Sequence, residues 1–232
     1  MAALISKSMR FVNSTRLLAV AAVAIASVVT GCKTKSLTDP IIGPNYQVSN
    51  VFRKEAMLPA KVRRVAVLPV SYSQATADLV AGKETLEPIF HSELTKASRF
   101  ETIFIKPDEL KRWTGREQWD AYEELPPHLF KLLAGKSGCD AVLFPTLIKY
   151  KAYPPLIIGW RMKLVANDAD ILWAVEKIFD ASEETVSNSA RRYDRAHVRN
   201  NPVLEDSRSI LLSPSRFGQY TLDALLETLP NR

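Results

Sequence analysis

Between Gly159 and Asp180 apolar and polar residues alternate in two runs that fit each other. Trp160, Met162 and Leu164 share one parity with Arg161 and Lys163 on the other; beyond Asn167–Asp170, the residues Ile171, Trp173 and Val175 repeat the apolar row. A period of two is the period of a strand. A turn at Asp168-Ala169 sets Trp173 opposite Leu164 and Val175 opposite Met162, so both apolar rows fall on one face of a hairpin. Side chains of that size cannot be left in water along two whole strands. The chain must contain a sheet, and another layer must cover this face.

The rest of the chain supplies the layers. Val65-Ala66-Val67-Leu68-Pro69-Val70, after Arg63 and Arg64, reads as a short strand covered on both sides. Thr85 to Ser98 places Leu86, Ile89, Phe90, Leu94 and Ala97 at helical spacing, with Pro88 expected in the first turn, where amides have no partner within the helix. Phe100 to Ile105 reads as a second strand and Pro107 to Trp113 as a short helix; Pro127 to Lys136 reads as another, ended by Gly135 or Gly138. Ala141 to Tyr150 is a third apolar run, in which Pro145 predicts a bulge or an irregular end, and Pro154-Pro155 turns the chain. Glu183 to Arg195 has helical tendency. Ser213-Pro214-Ser215 should start a last helix burying Phe217, Tyr220, Leu222, Leu225, Leu226 and Leu229. The order β-α-β-α-β-β-β-α predicts an α/β fold, a single two- or three-layer sandwich on one mixed sheet with C-terminal hairpin strands and a closing helix.

The N-terminus carries a different signal. Lys7, Arg10 and Arg16, with no acidic residue, precede the apolar segment Leu17 to Val29, the layout of a secretory signal. That segment is shorter than the roughly 20 apolar residues needed to cross a bilayer. Val29-Thr30-Gly31-Cys32 then resembles a bacterial lipobox. The resemblance implies a cleaved lipoprotein signal peptide over 1–31, a mature chain starting at Cys32, and diacylglycerol on its thiol with palmitate or a similar acyl chain on its amine. Two or three acyl chains hold a protein stably to a membrane. Lys33, rather than Asp, after the cysteine implies an outer-membrane anchor facing the periplasm. Residues 32–60 read as lipidated Cys and flexible tether, with Pro40, Pro44 and Pro59 and no sustained period, and 61–232 as one α/β domain. Tyr46, Val48, Val51 and Phe52 are apolar enough to dock on this domain or on a neighbour.

Chemistry-bearing patterns are sparse. The formal charge of +6 falls once Lys7, Arg10 and Arg16 leave with the signal, so nucleic acid is not implied as a partner. His91, His128 and His197 are not at the spacing of paired metal ligands, and neither a phosphate-cradling glycine loop nor a Gly-x-Ser-x-Gly elbow occurs. No metal, cofactor or small-molecule substrate is expected. With Cys32 committed to lipid, Cys139 has no disulfide partner and reads as a small buried residue at a strand entrance. Glu123-Glu124 and Glu183-Glu184 read as solvated. Arg191, Arg192, Arg195 and Arg199 with Tyr193 form the densest basic stretch, either a solvated surface or a meeting point for headgroups, glycan or an acidic partner. Trp113 and Trp119, around Gly115 and Arg116, either cap the core or anchor a partner.

Arg64–Pro69, Gly138–Leu143 and Asn167–Ala174 resemble signatures of the envelope-lipoprotein superfamily that includes the curli-secretion lipoprotein, the penicillin-binding-protein activator lipoproteins and the amino-terminal domain of TolB. The resemblance covers about 63–180. It implies a non-enzymatic protein of the cell envelope that binds other envelope proteins, with possible self-association, as a scaffold or accessory subunit. Its alternatives are a secretion-pore subunit of the curli type and an envelope glycan-binding or hydrolytic enzyme subunit.

Overall fold

The computed structural model describes residues 41, 43–126, 128–197 and 207–232. The expected signal peptide, the lipobox with Cys32, Pro127 and Arg199 lie outside them. Seven strands form one mixed sheet: β1 (Val51–Arg53), β2 (Arg64–Val67), β3 (Ser71–Tyr72), β4 (Glu101–Phe104), β5 (Ala141–Lys151), β6 (Ile157–Ala166) and β7 (Ile171–Asp180). The order is β1-β7-β6-β5-β2-β4, with β3 pairing β5 beyond the end of β2. β2, β3, β4 and β5 are mutually parallel where they pair, whereas β5-β6, β6-β7 and β7-β1 are antiparallel.

The helices are α1 (Ala77–Ala97), α2 (Pro107–Thr114), α3 (Leu129–Ser137), α4 (Glu184–His197) and α5 (Pro214–Leu226), with a 3-10 turn over Ser207–Leu212. α1, α4 and α5 cover one sheet face over a large core built around Phe90, Leu147, Trp160, Trp173, Phe179 and Phe217. α2 and α3 cover the opposite face of β2 and β5 over a smaller core that includes Leu68, Leu110, Phe130, Phe144 and Val165. The sandwich thus has three layers over β2 and β5 and two where β7 and β1 carry no helix on that side.

The hairpin forms in the expected register. Met162 pairs with Val175 and Leu164 with Trp173, and all four are buried. Ile171 departs from the expected alternation: a register shift between Leu164 and Val165 pairs it with Val165 on the outer side, where it is 39% exposed, and Leu172 enters the core beside Trp173. A bulge places two neighbouring residues on one face, which a strict period of two cannot show. Ala169 turns the hairpin with φ = 67°, in the left-handed region.

Pro145 sits in the middle of β5 without a register break, and the irregularity falls instead between Leu147 and Lys149. Its carbonyl accepts from the Ser71 hydroxyl, so its nitrogen faces the same side, where β2 has ended and β3 has barely begun. A missing N–H there interrupts no ladder.

α1 starts eight residues before the expected Thr85. Thr76 caps it by accepting from the Leu79 amide, and Leu79 and Gly82 carry its first turns onto the sheet. Pro88 therefore lies inside the helix rather than in its first turn. α5 begins as expected at Ser213, whose hydroxyl accepts from the Arg216 amide, and buries all six apolar residues assigned to it or just after it.

Residues 43–60, read from sequence as part of a tether, are bound to the domain. β1 adds to the free edge of β7, the Leu58 amide donates to the Asn231 carbonyl and the Asn231 amide to the Ala56 carbonyl, and the Tyr46 amide donates to Ser189. The Arg192 guanidinium donates to Asn45 and to the carbonyls of Gly43 and Pro44. The expected domain start at 61 has no counterpart in the fold, because these contacts are with residues over a hundred positions away and leave no local period.

Candidate functional site

On the outer face of β6, β7 and β1 the off-core residues of the hairpin come into view. Lys163 pairs across with Ala174, and Ala174 with Phe52, so a cation, a small residue and an aromatic form one row across three strands. Phe52 is 51% exposed and Ile178, farther along β7, is 46% exposed. Arg161, next on β6, pairs with Glu176 at 2.8 Å and lies 3.8 Å from Asp120. The Glu176 hydrogen bond holds the Arg161 pKa above its ordinary value. Burial lowers that of Lys163, against the opposing pull of Asp120. Lys163 has no hydrogen-bond or ion-pair partner among the described residues.

The loop between α2 and α3 borders this face. Trp119 anchors it in the smaller core and donates through Nε1 to Thr114, while Arg116 stacks on the indole and pairs with Glu123. The Ala121 amide donates to Thr146, itself bonded to Ser71. So fixed, the loop lays Tyr122 over both cations, with the Arg161 guanidinium 4.6 Å and the Lys163 ammonium 4.9 Å from the ring centroid. Tyr122 remains 55% exposed, and beside it a cleft of about 390 Å³ opens between Ser71–Ser73, the loop and Arg161. The arrangement offers charge, aromatic surface and shape on a rigid support, which suits recognition.

The residues singled out in sequence do not gather. Cys139 is buried and free, and Trp119 and Trp113 pack on the smaller core as caps. His91 lies against Phe104 at 4.2 Å, where burial lowers its pKa; His128 starts α3; His197 stacks on Tyr193. Among the described residues no three His, Cys, Asp or Glu side chains are placed to hold a metal. The basic stretch of α4 works internally: Arg191 bonds Ser207, Arg192 clasps the strap at 43–45, and Asp194 pairs with Arg216 at 2.6 Å. Sequence reasoning missed Tyr122, Lys163 and Phe52 as neighbours. Only the off-core parity of Lys163 and the apolar, docking character of Phe52 were visible.

A second cleft, about 260 Å³, is lined by Glu93, Lys96, Tyr193, His197, Asp223 and Glu227. Burial, then the nearby Glu227 charge, raises the Asp223 pKa. A carboxyl raised on folding stabilises the protein below its unfolded pKa of about 3.9, and that contribution is lost as pH rises through the folded value. Asp223→Asn should therefore melt above wild type at pH 7, with the gap closing as pH falls through the carboxylate range. Thermal melts across that range check it; a gap that widens on acidification would contradict the assignment.

No family model and no curated protein matches this chain. Among solved structures it is similar to a PelC dodecamer subunit from Paraburkholderia phytofirmans, at 12% identity and TM-score 0.40 over 76% of this chain and 98% of that one. It is also similar to lipoprotein GNA1162 from Neisseria meningitidis, at 18% identity and TM-score 0.39, covering 50% of this chain and 81% of the other. The LpoB C-terminal domain from Salmonella enterica follows at 15% and 0.33, covering 51% and 82%. Likenesses this loose assign neither family nor function.

Proposed function

We propose that the protein is an envelope lipoprotein, tethered through Cys32 to the outer membrane and facing the periplasm, which acts without catalysis by binding other proteins. The observation that carries the binding reading is the open face of β6, β7 and β1, where Phe52, Ile171 and Ile178 are exposed on a rigid sheet beside Tyr122. Spread along one face of the sheet, these side chains offer apolar contact points to a partner laid across the strands. The anchor rests on the sequence of residues 29–32. The pore alternative needs Leu156–Val165 as a lipid-facing strand, yet Ile158, Trp160, Met162 and Leu164 are fully buried in the larger core. One set of side chains cannot serve both.

Two measurements test the reading. Intact mass should show a mature chain starting at Cys32 with acyl mass, and Cys32→Ser should abolish both processing and membrane partition; a mature chain starting elsewhere would end the anchor argument. A photo-crosslinking residue at Ile178 should give a discrete protein adduct in cells, and one at Val80 on α1 should not. Equal, diffuse labelling from both positions would remove the docking face.

A further inference from the structure

We propose that the Lys163–Ala174–Phe52 row is a docking saddle for an acidic, extended segment of a partner protein, with one carboxylate received by Lys163 and an apolar side chain seated on Ala174 against Phe52. This rests on the protein-binding reading and names the chemistry of its partner. Charge complementarity carries it. The other cations at this site are engaged, Arg161 with Glu176 and Asp120 and Arg116 with Glu123, and Lys54 on the neighbouring edge pairs with Asp170. Lys163 alone of these makes no hydrogen bond or ion pair among the described residues, Asp120 acting on it only at a distance, although it is half-buried beneath Tyr122. A partly desolvated, unpaired ammonium gains more from an incoming carboxylate than a fully hydrated one, since less water must be displaced and the local dielectric is lower.

The geometry selects a polypeptide. Neighbouring strands stand about 4.8 Å apart, so Lys163 and Phe52 are separated by roughly 10 Å with the small Ala174 side chain as the low point between them. Residues i and i+2 of an extended segment project to the same side about 7 Å apart. A carboxylate and an apolar side chain at that spacing reach Lys163 and the wall of Phe52 together. Tyr122 closes the cationic end, its exposed edge free to contact the arriving backbone. An anionic glycan could meet the ammonium but has no group for the apolar half.

The test uses the full-length chain in detergent and two fluorescent probes, acetyl-Leu-Glu-Leu-Glu-Leu-amide and the same peptide with Gln for Glu, followed by anisotropy at low ionic strength. The Glu probe should bind about tenfold tighter than the Gln probe, and this preference should shrink on raising salt. Lys163→Met should bring the two affinities together, whereas Phe52→Ser should weaken both probes by a similar factor and keep their ratio. Circular dichroism melts within about two degrees of wild type confirm that neither variant acts through unfolding; where Lys163→Met melts lower, Lys163→Gln takes its place. A Glu probe that binds no tighter than its Gln counterpart, or a preference that survives loss of the ammonium, overturns the saddle. So does displacement of the bound Glu probe by polygalacturonate as readily as by unlabelled Glu peptide, which would assign the face to glycan. The Ile178 cross-link reports separately: an adduct that persists in Lys163→Met leaves protein binding standing and removes only this account of it.

Discussion

Trp173→Ala should lower the free energy of unfolding by about 3–5 kcal/mol, the range for truncating a large buried aromatic. The indole is fully buried near the start of β7, and its Nε1 donates to the Thr228 hydroxyl at 3.0 Å. That hydroxyl in turn donates to Leu225, and the Thr228 carbonyl accepts from Arg53 on β1. The variant therefore opens a cavity and also strips one partner from the residue that joins α5 to the sheet edge. Ile171→Ala, two positions away, should change stability by less than about 0.5–1 kcal/mol, because the bulge turns Ile171 outward. Urea denaturation of both variants decides it. A Trp173→Ala protein within about 1 kcal/mol of wild type that had lost partner binding would make the indole a recognition element instead.

That pair of neighbours also shows what the sequence makes legible. Trp173 was placed by alternation matched across a short turn, where local period and long-range burial agree, and its partner Leu164 follows from the same count. Ile171 obeys the same parity and is misplaced, because a bulge depends on how the chain closes around Asn167–Asp170 and leaves no mark on residue types. The closing helix was legible for similar reasons: Ser213-Pro214 signals the start and six apolar residues share a face. β1 was not, since three residues hold no period and their stability comes entirely from β7. The candidate surface sits between these cases. Strand parity puts Arg161 and Lys163 off the core, but only the fold brings Tyr122 over them, through a loop fixed by Trp119 and Thr146. Of the two readings open for Trp119, the structure shows the core cap, and the reason it matters is the tyrosine it positions three residues later.

Two glycines in helices should respond to alanine with opposite signs. In a solvated helix interior, Gly→Ala gains about 1 kcal/mol from propensity. Gly135 in α3 meets that condition, as a methyl group there would touch nothing within 4 Å; Gly135→Ala should stabilise by about 0.5–1 kcal/mol. Gly82 in α1 does not. A Cβ at Gly82 would lie 2.5 Å from the Tyr150 ring and 2.8 Å from Leu147, both on β5 beneath the helix. The ring carbon nearest the backbone cannot swing aside as the tip of a flexible chain can, and Tyr150 and Leu147 are themselves buried. α1 would have to lift from the sheet along the seam that seals the larger core, and overpacking of this kind costs about 1–3 kcal/mol. Subtracting the propensity gain leaves Gly82→Ala destabilised by up to about 2 kcal/mol. Because α1 also receives α5 at Gly218, where a Cβ would come within 2.4 Å of Leu86, the displacement would spread to the closing helix. Thermal and urea denaturation of the two variants side by side give the signs. If Gly82→Ala were as stable as Gly135→Ala, the close seating of α1 on β5 would be wrong, and with it the packing that holds the hairpin face in place.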